Sequence, residues 1–265
     1  MTTEQSAQLL GDGPGAVARL GGLAPIGPDV SWCPPGVAGW QPVNAYLIRR
    51  GGSAVLVDTG VGMHAEGIRT QLRSLLEPGT RLSVVLTRTE MECCLNLPAI
   101  ESEFPVDQVW YTGGITVPVT HAAARRVNVD AGTALDLEVA PGIELQLHSP
   151  LLRLLPVLWV GDPVSRTLLT SDSFSHLLTA ADGAPLPYDV ATLKAFHDLK
   201  FGWIADAVAP ADIAAIAAHV RGVVVEQDWQ VLAPTYGAPV VGREAVRTQA
   251  GDLAAHLEGV GRHAA

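Results

Sequence analysis

Several things are scarce in this sequence, and each scarcity excludes something. No apolar run among its 265 residues approaches the roughly 18 that a membrane span requires. There are three cysteines, Cys33, Cys93 and Cys94. The number is odd and two of them are neighbours, which argues against a disulfide framework. Lysine is confined to Lys194 and Lys200 against fifteen arginines, a ratio that, with abundant alanine, points to GC-rich codon usage rather than to chemistry. Basic charge is nowhere gathered into a stripe, and the net charge is -10. That argues against nucleic acid or an anionic membrane as partner. The opening residues Met1 to Gln5 carry neither a basic cluster nor an apolar segment, so no signal peptide is read and a cytoplasmic protein is expected. No internal repeat and no linker-like stretch divides the chain.

What is present is apolar content, 48% of residues, enough for a substantial core. Residues 1–42 are rich in Gly and Pro and are expected to form an irregular arm; residues 43–265 are expected to form a single domain. Val43 to Ile48 and Ala54 to Val57 flank Arg49-Arg50-Gly51-Gly52, a hairpin signal. Ile68, Leu72, Leu75 and Leu76 recur at helical spacing over 64–76. Val84 to Leu86 reads as a short buried strand, 94–104 as a helix and Gln108 to Tyr111 as another strand. From 127 to 171 short apolar runs alternate with Gly, Pro and Asp: Val127 to Val129, Ala134 to Val139, Ile143 to Leu147, Val157 to Val160 and Thr167 to Thr170. Helices follow over 189–198 and 210–220, then a strand at Gln230 to Leu232 and a helix over 243–257. Strands with helices, a β-rich centre and helices again fit an α/β sandwich.

Polar residues at strand ends are the candidates for function, because loops leaving a rigid sheet carry it. Asp58 follows Val55-Leu56-Val57, and Thr87-Arg88-Thr89-Glu90-Met91-Glu92-Cys93-Cys94 follows Val84-Val85-Leu86. His148 follows Leu147, Asp172 follows Leu168 to Ser171, and Tyr236 follows Val231-Leu232.

These marks resemble the metallo-β-lactamase superfamily over roughly residues 43–257, through Asn44 to Ile48, Leu56-Val57-Asp58-Thr59-Gly60 and Val84-Val85-Leu86-Thr87. The resemblance implies an αββα sandwich with a metal site at one edge. The family's metal motif, His-x-His-x-Asp-His-x-Gly-Asn, falls here on Arg88, Glu90, Glu92 and Cys93, with Asn96 in its own place. Glu90 in the second slot is similar to the flavodiiron and oxygen-binding diiron branch. So are Leu147-His148-Ser149-Pro150, the stretch from Leu168 to His176, and Pro234-Thr235-Tyr236-Gly237. By that likeness one iron's slots hold Arg88, Glu90, His148 and Asp172, and the other's hold Glu92, Cys93, Tyr236 and Asp172. Asp58, Asn96 and His176 would brace the ligand loops, and no flavin domain is expected.

Arg88 sets the alternatives, since a guanidinium stays protonated and has no lone pair for a metal. In one reading it replaces the metal's charge and neutralises Glu90, Glu92 or Asp172. The pocket then serves an enzyme acting on a small, anionic molecule in a biosynthetic step. Arg88, Glu90, Glu92, Cys93 and Tyr236 are its catalytic candidates, with Glu90 or Glu92 as base and Tyr236 or His148 as acid. Arg88 and a helix N-terminus beside Cys93 are expected to lower that thiol's pKa. In a second reading Glu90, His148 and Asp172, with Glu92 nearby, hold one iron or manganese in an oxidoreductase or oxygen-binding protein, or Glu92, Cys93 and Tyr236 complete a dinuclear site. A third is a binding or sensor protein on the same scaffold. Hydrolysis by metal-bound hydroxide is the least supported, because the ligand set is broken. A small-molecule substrate and, by likeness to relatives, a homodimer are expected as partners. Any of the six Trp, Trp32, Trp40, Trp110, Trp159, Trp203 and Trp229, is a candidate pocket wall.

Overall fold

A computed structural model describes residues 6–11, 15–28, 33–114, 119–174, 177–186 and 190–263. In chain order the strands of its first half are β1 (Gln8–Leu10), β2 (Val17–Ile26), β3 (Gly39–Arg50), β4 (Ser53–Val57), β5 (Arg81–Leu86), β6 (Val106–Tyr111) and β7 (Ala123–Arg126). They form one sheet in sequence order. Helices α1 (Ala65–Leu75), α2 (Met91–Cys94) and α3 (Leu97–Glu101) lie between them in the chain. The second half supplies β8 (Ala134–Ala140), β9 (Ile143–His148), β10 (Trp159–Asp162), β11 (Thr167–Leu169), β12 (Val231–Ala233) and β13 (Val240–Val241). These make a second sheet in the order β13-β12-β11-β10-β9-β8. Helices α4 (Val190–Phe201), α5 (Trp203–Ala207), α6 (Pro210–Val224) and α7 (Arg243–His263) complete it. No described helix is long and apolar enough to cross a membrane.

The layering follows from period-2 alternation on strands that are apolar on both faces. Tyr46, Ile48, Val55, Val57 and Val85 join Leu145, Leu147, Val160, Leu169 and Val231 in a core between the sheets. Their neighbours Ala45, Leu47, Ala54, Leu56, Val84 and Leu86 point the other way, onto Ile68 and Leu72 of α1 and Leu97 and Ile100 of α3. On the second sheet Trp159, Leu168 and Leu232 face Ile213, Val220, Leu253 and Leu257 of α6 and α7. The result is α, β, β, α, the sandwich expected from the sequence.

Strands β3 and β4 meet in a two-residue turn, Arg50 opposite Ser53, where Gly51 takes φ +54°, a conformation glycine adopts without a Cβ clash. The segment expected to be an irregular arm departs from expectation. β2 pairs with β3 along its length, from Ala18 opposite Leu47 to Ile26 opposite Gly39. Its glycines serve packing rather than irregularity: a Cβ on Gly21 would lie 2.1 Å from Val43 O. The helix expected over 94–104 is broken into α2 and α3, with Pro98 in the first turn of α3. The strand expected at Val127 to Val129 falls earlier, at β7.

Candidate active site

β4 runs parallel to β5 and β11 parallel to β12, so each pair sends its carboxyl ends to one edge of its sheet. In parallel sheets such ends are where ligands bind. Here the two edges are joined. Asp58, at the end of β4, accepts from Thr87 N at 2.8 Å, from Thr87 Oγ1 at 2.8 Å and from Thr235 Oγ1 at 3.1 Å. Ser171 Oγ lies 2.9 Å from Thr87 Oγ1, and Thr235 N donates to Ser171 O at 2.7 Å. Asp58 and Ser171 both have left-handed backbone, φ 59° and 52°, a conformation that costs about 1–3 kcal/mol for a non-glycine residue. Each sits at the corner where a strand turns into a site loop. Asp58 is 2% exposed, and burial pushes its carboxyl up to about 6 against the pull of its hydrogen bonds.

Above this floor lies the loop after β5. Asn96 anchors it, donating from Nδ2 to Thr59 O at 2.9 Å and to Val61 O at 2.9 Å, while its own N–H reaches Thr59 Oγ1 at 3.1 Å. Thr59 N in turn donates to Cys93 O at 2.8 Å. The expected bracing role of Asp58 and Asn96 thus has a geometric basis; His176 lies outside the described residues.

Arg88 occupies the centre of the acidic cluster. Its Nη1 donates to Asp172 Oδ2 at 3.0 Å and stands 3.6 Å from Glu90 Oε2, and its Nη2 donates to Glu92 Oε1. Burial alone would lower the guanidinium; the charges of Asp172, Cys93 and Glu90 raise it above its ordinary value. Burial would likewise raise Asp172, but Lys200 and Arg88 together hold its carboxyl below the usual range. Lys200, from α4, donates to Asp172 O and has Nζ 3.5 Å from Asp172 Oδ2.

Beside this cluster opens a cavity of about 290 Å³. Arg88, Glu90, Asp172 and Lys200 face it together with Arg153 and Trp203. Neither Lys200 nor Arg153 was read from the sequence. Lys200 sits in the last turn of α4 and gives no local signal. Arg153 did leave one: it is the single charge in Leu151-Leu152-Arg153-Leu154-Leu155.

Two expectations need correction. His148 does not join Glu90 and Asp172. The alternation that buries Leu145 and Leu147 between the sheets turns His148 to the helix side, edge-on to Trp229 with ring centroids 6.4 Å apart. Burial and the nearby His219 lower it to about 4, so it is a neutral packed imidazole, and it is not among the residues lining the cavity. Cys93 does not have a lowered pKa. It is fully buried inside α2, and burial and Asp58 push the thiol up more than Arg88 pulls it down. The residues present do not fit the metal that the resemblance implies. Among the described residues no three His, Cys, Asp or Glu side chains are grouped to hold an ion, and the position central to Glu90, Glu92 and Asp172 is filled by a guanidinium that cannot donate an electron pair. Tyr236 bridges to Val43 through its backbone; burial and the charges of Cys93, Asp172 and Glu90 raise its phenol far above its ordinary value, against Arg88. Of the tryptophans only Trp203 lines this cavity among the described residues; Trp159 and Trp229 are core, and Trp32 lies outside the described residues.

No protein-family model matches the chain, and no curated protein matches it. Solved structures do. Rubredoxin oxygen:oxidoreductase from Desulfovibrio gigas superposes with a TM-score of 0.64 at 15% identity over 94% of this chain, which spans 62% of that protein's length. The apo state of the chemotaxis sensor ODP from T. denticola gives 0.60 at 13% identity, covering 96% of this chain and 94% of that one. A metallo β-lactamase from Hirschia baltica gives 0.50 at 17% identity, covering 94% and 98%. The Flv1 flavodiiron core from Synechocystis sp. PCC6803 gives 0.63 at 17% identity, covering 95% of this chain and 61% of that one, so the fold is the metallo-β-lactamase αββα sandwich, and this flavodiiron core overlays it more closely than the lactamase does. At these identities the likeness carries the fold and nothing finer.

Proposed function

We propose that this metallo-β-lactamase-fold chain is an enzyme that acts on a small anionic molecule by acid–base chemistry without a resident metal, in a biosynthetic step. The observation that carries the proposal is Arg88 at hydrogen-bond distance from Glu92 and Asp172 and 3.6 Å from Glu90. A fixed guanidinium there supplies the positive charge that lets three carboxylates share one site, and it can stabilise negative charge developing on a substrate.

The roles divide by environment. Glu92 and Asp172 are engaged by Arg88 at hydrogen-bond distance. Glu90 is the loosest of the three, with a third of its side chain exposed and a place on the cavity wall, so it is the general base. Tyr236 keeps its proton through the neutral range and is the hydrogen-bond donor and acid. An oxidoreductase with iron at Glu90, His148 and Asp172 is disfavoured, because His148 packs on Trp229.

Incubation in D2O with a library of small organic acids tests this whatever the product is. Wild-type protein should convert or deuterate at least one acid. Glu90→Gln should lower that rate by about 100-fold or more, the usual scale of general-base loss. An undiminished rate in Glu90→Gln removes the assigned base. Purified protein carrying about one equivalent of tightly held iron, manganese or zinc refutes the metal-free reading, because such a site needs donors that Arg88 displaces.

A further inference from the structure

Three cations and three carboxylates form the site, and their pairing is unequal. Arg88 is spent on Glu92 and Asp172, and Lys200 on Asp172. Arg153 differs. Its Nη1 donates to Ser149 Oγ at 2.6 Å, a neutral hydroxyl, and among the described residues no carboxylate lies within ion-pair distance of it. It is partly buried, yet it faces the same cavity as Glu90. A guanidinium in that state is a fork of donors awaiting an anion. The wall around it is apolar. Leu152, Val157, Phe201 and Trp203 line the cavity, as do Leu154 and Leu155, which stand 70% and 36% exposed and offer apolar surface to a ligand's body.

We infer that the cavity binds a small monocarboxylate with an apolar body, its carboxylate held by the Arg153 fork and its body against the Leu152, Phe201 and Trp203 wall. Charge chooses the class. Arg88 and Lys200 already face carboxylates and Arg153 faces a hydroxyl, so a single added negative charge has one cation to pair with, whereas a phosphate dianion would bring a second charge close to Glu90 and Asp172. Size agrees: about 290 Å³ is at the low end of small-molecule sites, which span about 300–1,000 Å³. Arg153 is a binding residue in this assignment, set by the neighbouring hydroxyl of Ser149. The inference rests on the acid–base reading above for its biological sense, but it is tested without turnover.

The full chain is titrated with hexanoate and phenylacetate, with hexanamide and phenylacetamide as neutral counterparts and phenyl phosphate as the dianion, by calorimetry and ligand-observed NMR. Each acid should bind at least about tenfold more tightly than its amide, the equivalent of about 1.4 kcal/mol. Arg153→Ala should remove that preference, and Arg153→Lys should keep part of it, because an ammonium retains the charge without the fork. Leu154→Asp should weaken both acids. Equal binding of acid and amide to wild-type protein overturns the inference, as does tighter binding of phenyl phosphate than of phenylacetate, or acids that all bind more weakly than about 10 mM. The acid–amide comparison uses wild-type protein, so it decides even if Arg153→Ala misfolds. Glu90→Gln separates the two readings. It should leave acid binding intact or tighter. Intact binding with unimpaired turnover discards the base while keeping the carboxylate site, and abolished selectivity for acids in wild-type protein discards the site while leaving the base to be judged on its own.

Discussion

Replacing Arg88 by methionine removes the positive charge and keeps most of the packing, which isolates its electrostatic role. The cost can be worked from exposure. Glu92 is 8% exposed and loses its ionic partner. Removing one member of a buried pair costs about 3–5 kcal/mol. Asp172, 30% exposed, keeps Lys200 at 3.5 Å, and Glu90, 34% exposed, is screened by water and contributes little. The sum is about 3 kcal/mol at neutral pH, or about 6–12 °C in melting temperature for a chain of this size. The sign with pH is fixed. In the wild type Asp172 is held below its ordinary range, so its pairing stabilises above that range and is lost as pH falls. In the variant a buried, unpaired Glu92 favours its protonated form, so the variant loses stability as pH rises. Both trends widen the gap at high pH and close it near pH ~4.5, around the ordinary carboxylate range. Urea melts at several pH values, on Arg88→Met, Glu92→Gln and the double variant, measure this. The double variant should recover most of the loss. A cost independent of pH, together with single effects that add to within about 0.5 kcal/mol, would refute the counter-ion role.

Asp58 titrates at about 6 in the folded chain against about 3.9 unfolded, so between those values rising pH removes about 3 kcal/mol of stability through this group. Asp58→Asn should flatten that part of the pH–stability curve, and an unchanged slope would contradict the burial effect. Iodoacetamide under native conditions should modify Cys94, which is partly exposed, and spare the fully buried Cys93; mass spectrometry showing rapid Cys93 labelling would restore a reactive thiol. His148→Phe should leave carboxylate binding unchanged within about twofold while altering stability, because the ring packs against Trp229 rather than on a ligand; a loss comparable to one charge-assisted contact, about tenfold, would place His148 back in the site.

Much of this was legible in the sequence for one physical reason. Strands buried on both faces end abruptly in polar groups, so Asp58, Arg88, Asp172 and Tyr236 stood out as strand-end residues, and the structure gathers them. Where motif and periodicity disagree, the periodicity decides. Leu147-His148-Ser149-Pro150 looked like a ligand strand, yet counting in twos from Leu145 and Leu147 places His148 on the opposite face. Arg153, five residues on, carried only a weak local signal. Lys200 meets Asp172 across 28 residues of chain, a contact that no local pattern encodes. β2 was hidden because its glycines, needed for close approach to β3, looked like loop composition.

The hydroxyls and the carboxylate that join the two sheets also separate two kinds of change. Asp58, Thr87, Ser171 and Thr235 bond to one another and to backbone, and none of these bonds uses Arg88, Glu90, Glu92, Arg153 or Lys200. A substitution among the latter alters what the site can hold without unfastening the edge beneath it. The fastening of the sheets and the charge of the site are thus carried by different side chains, so the two can be varied separately.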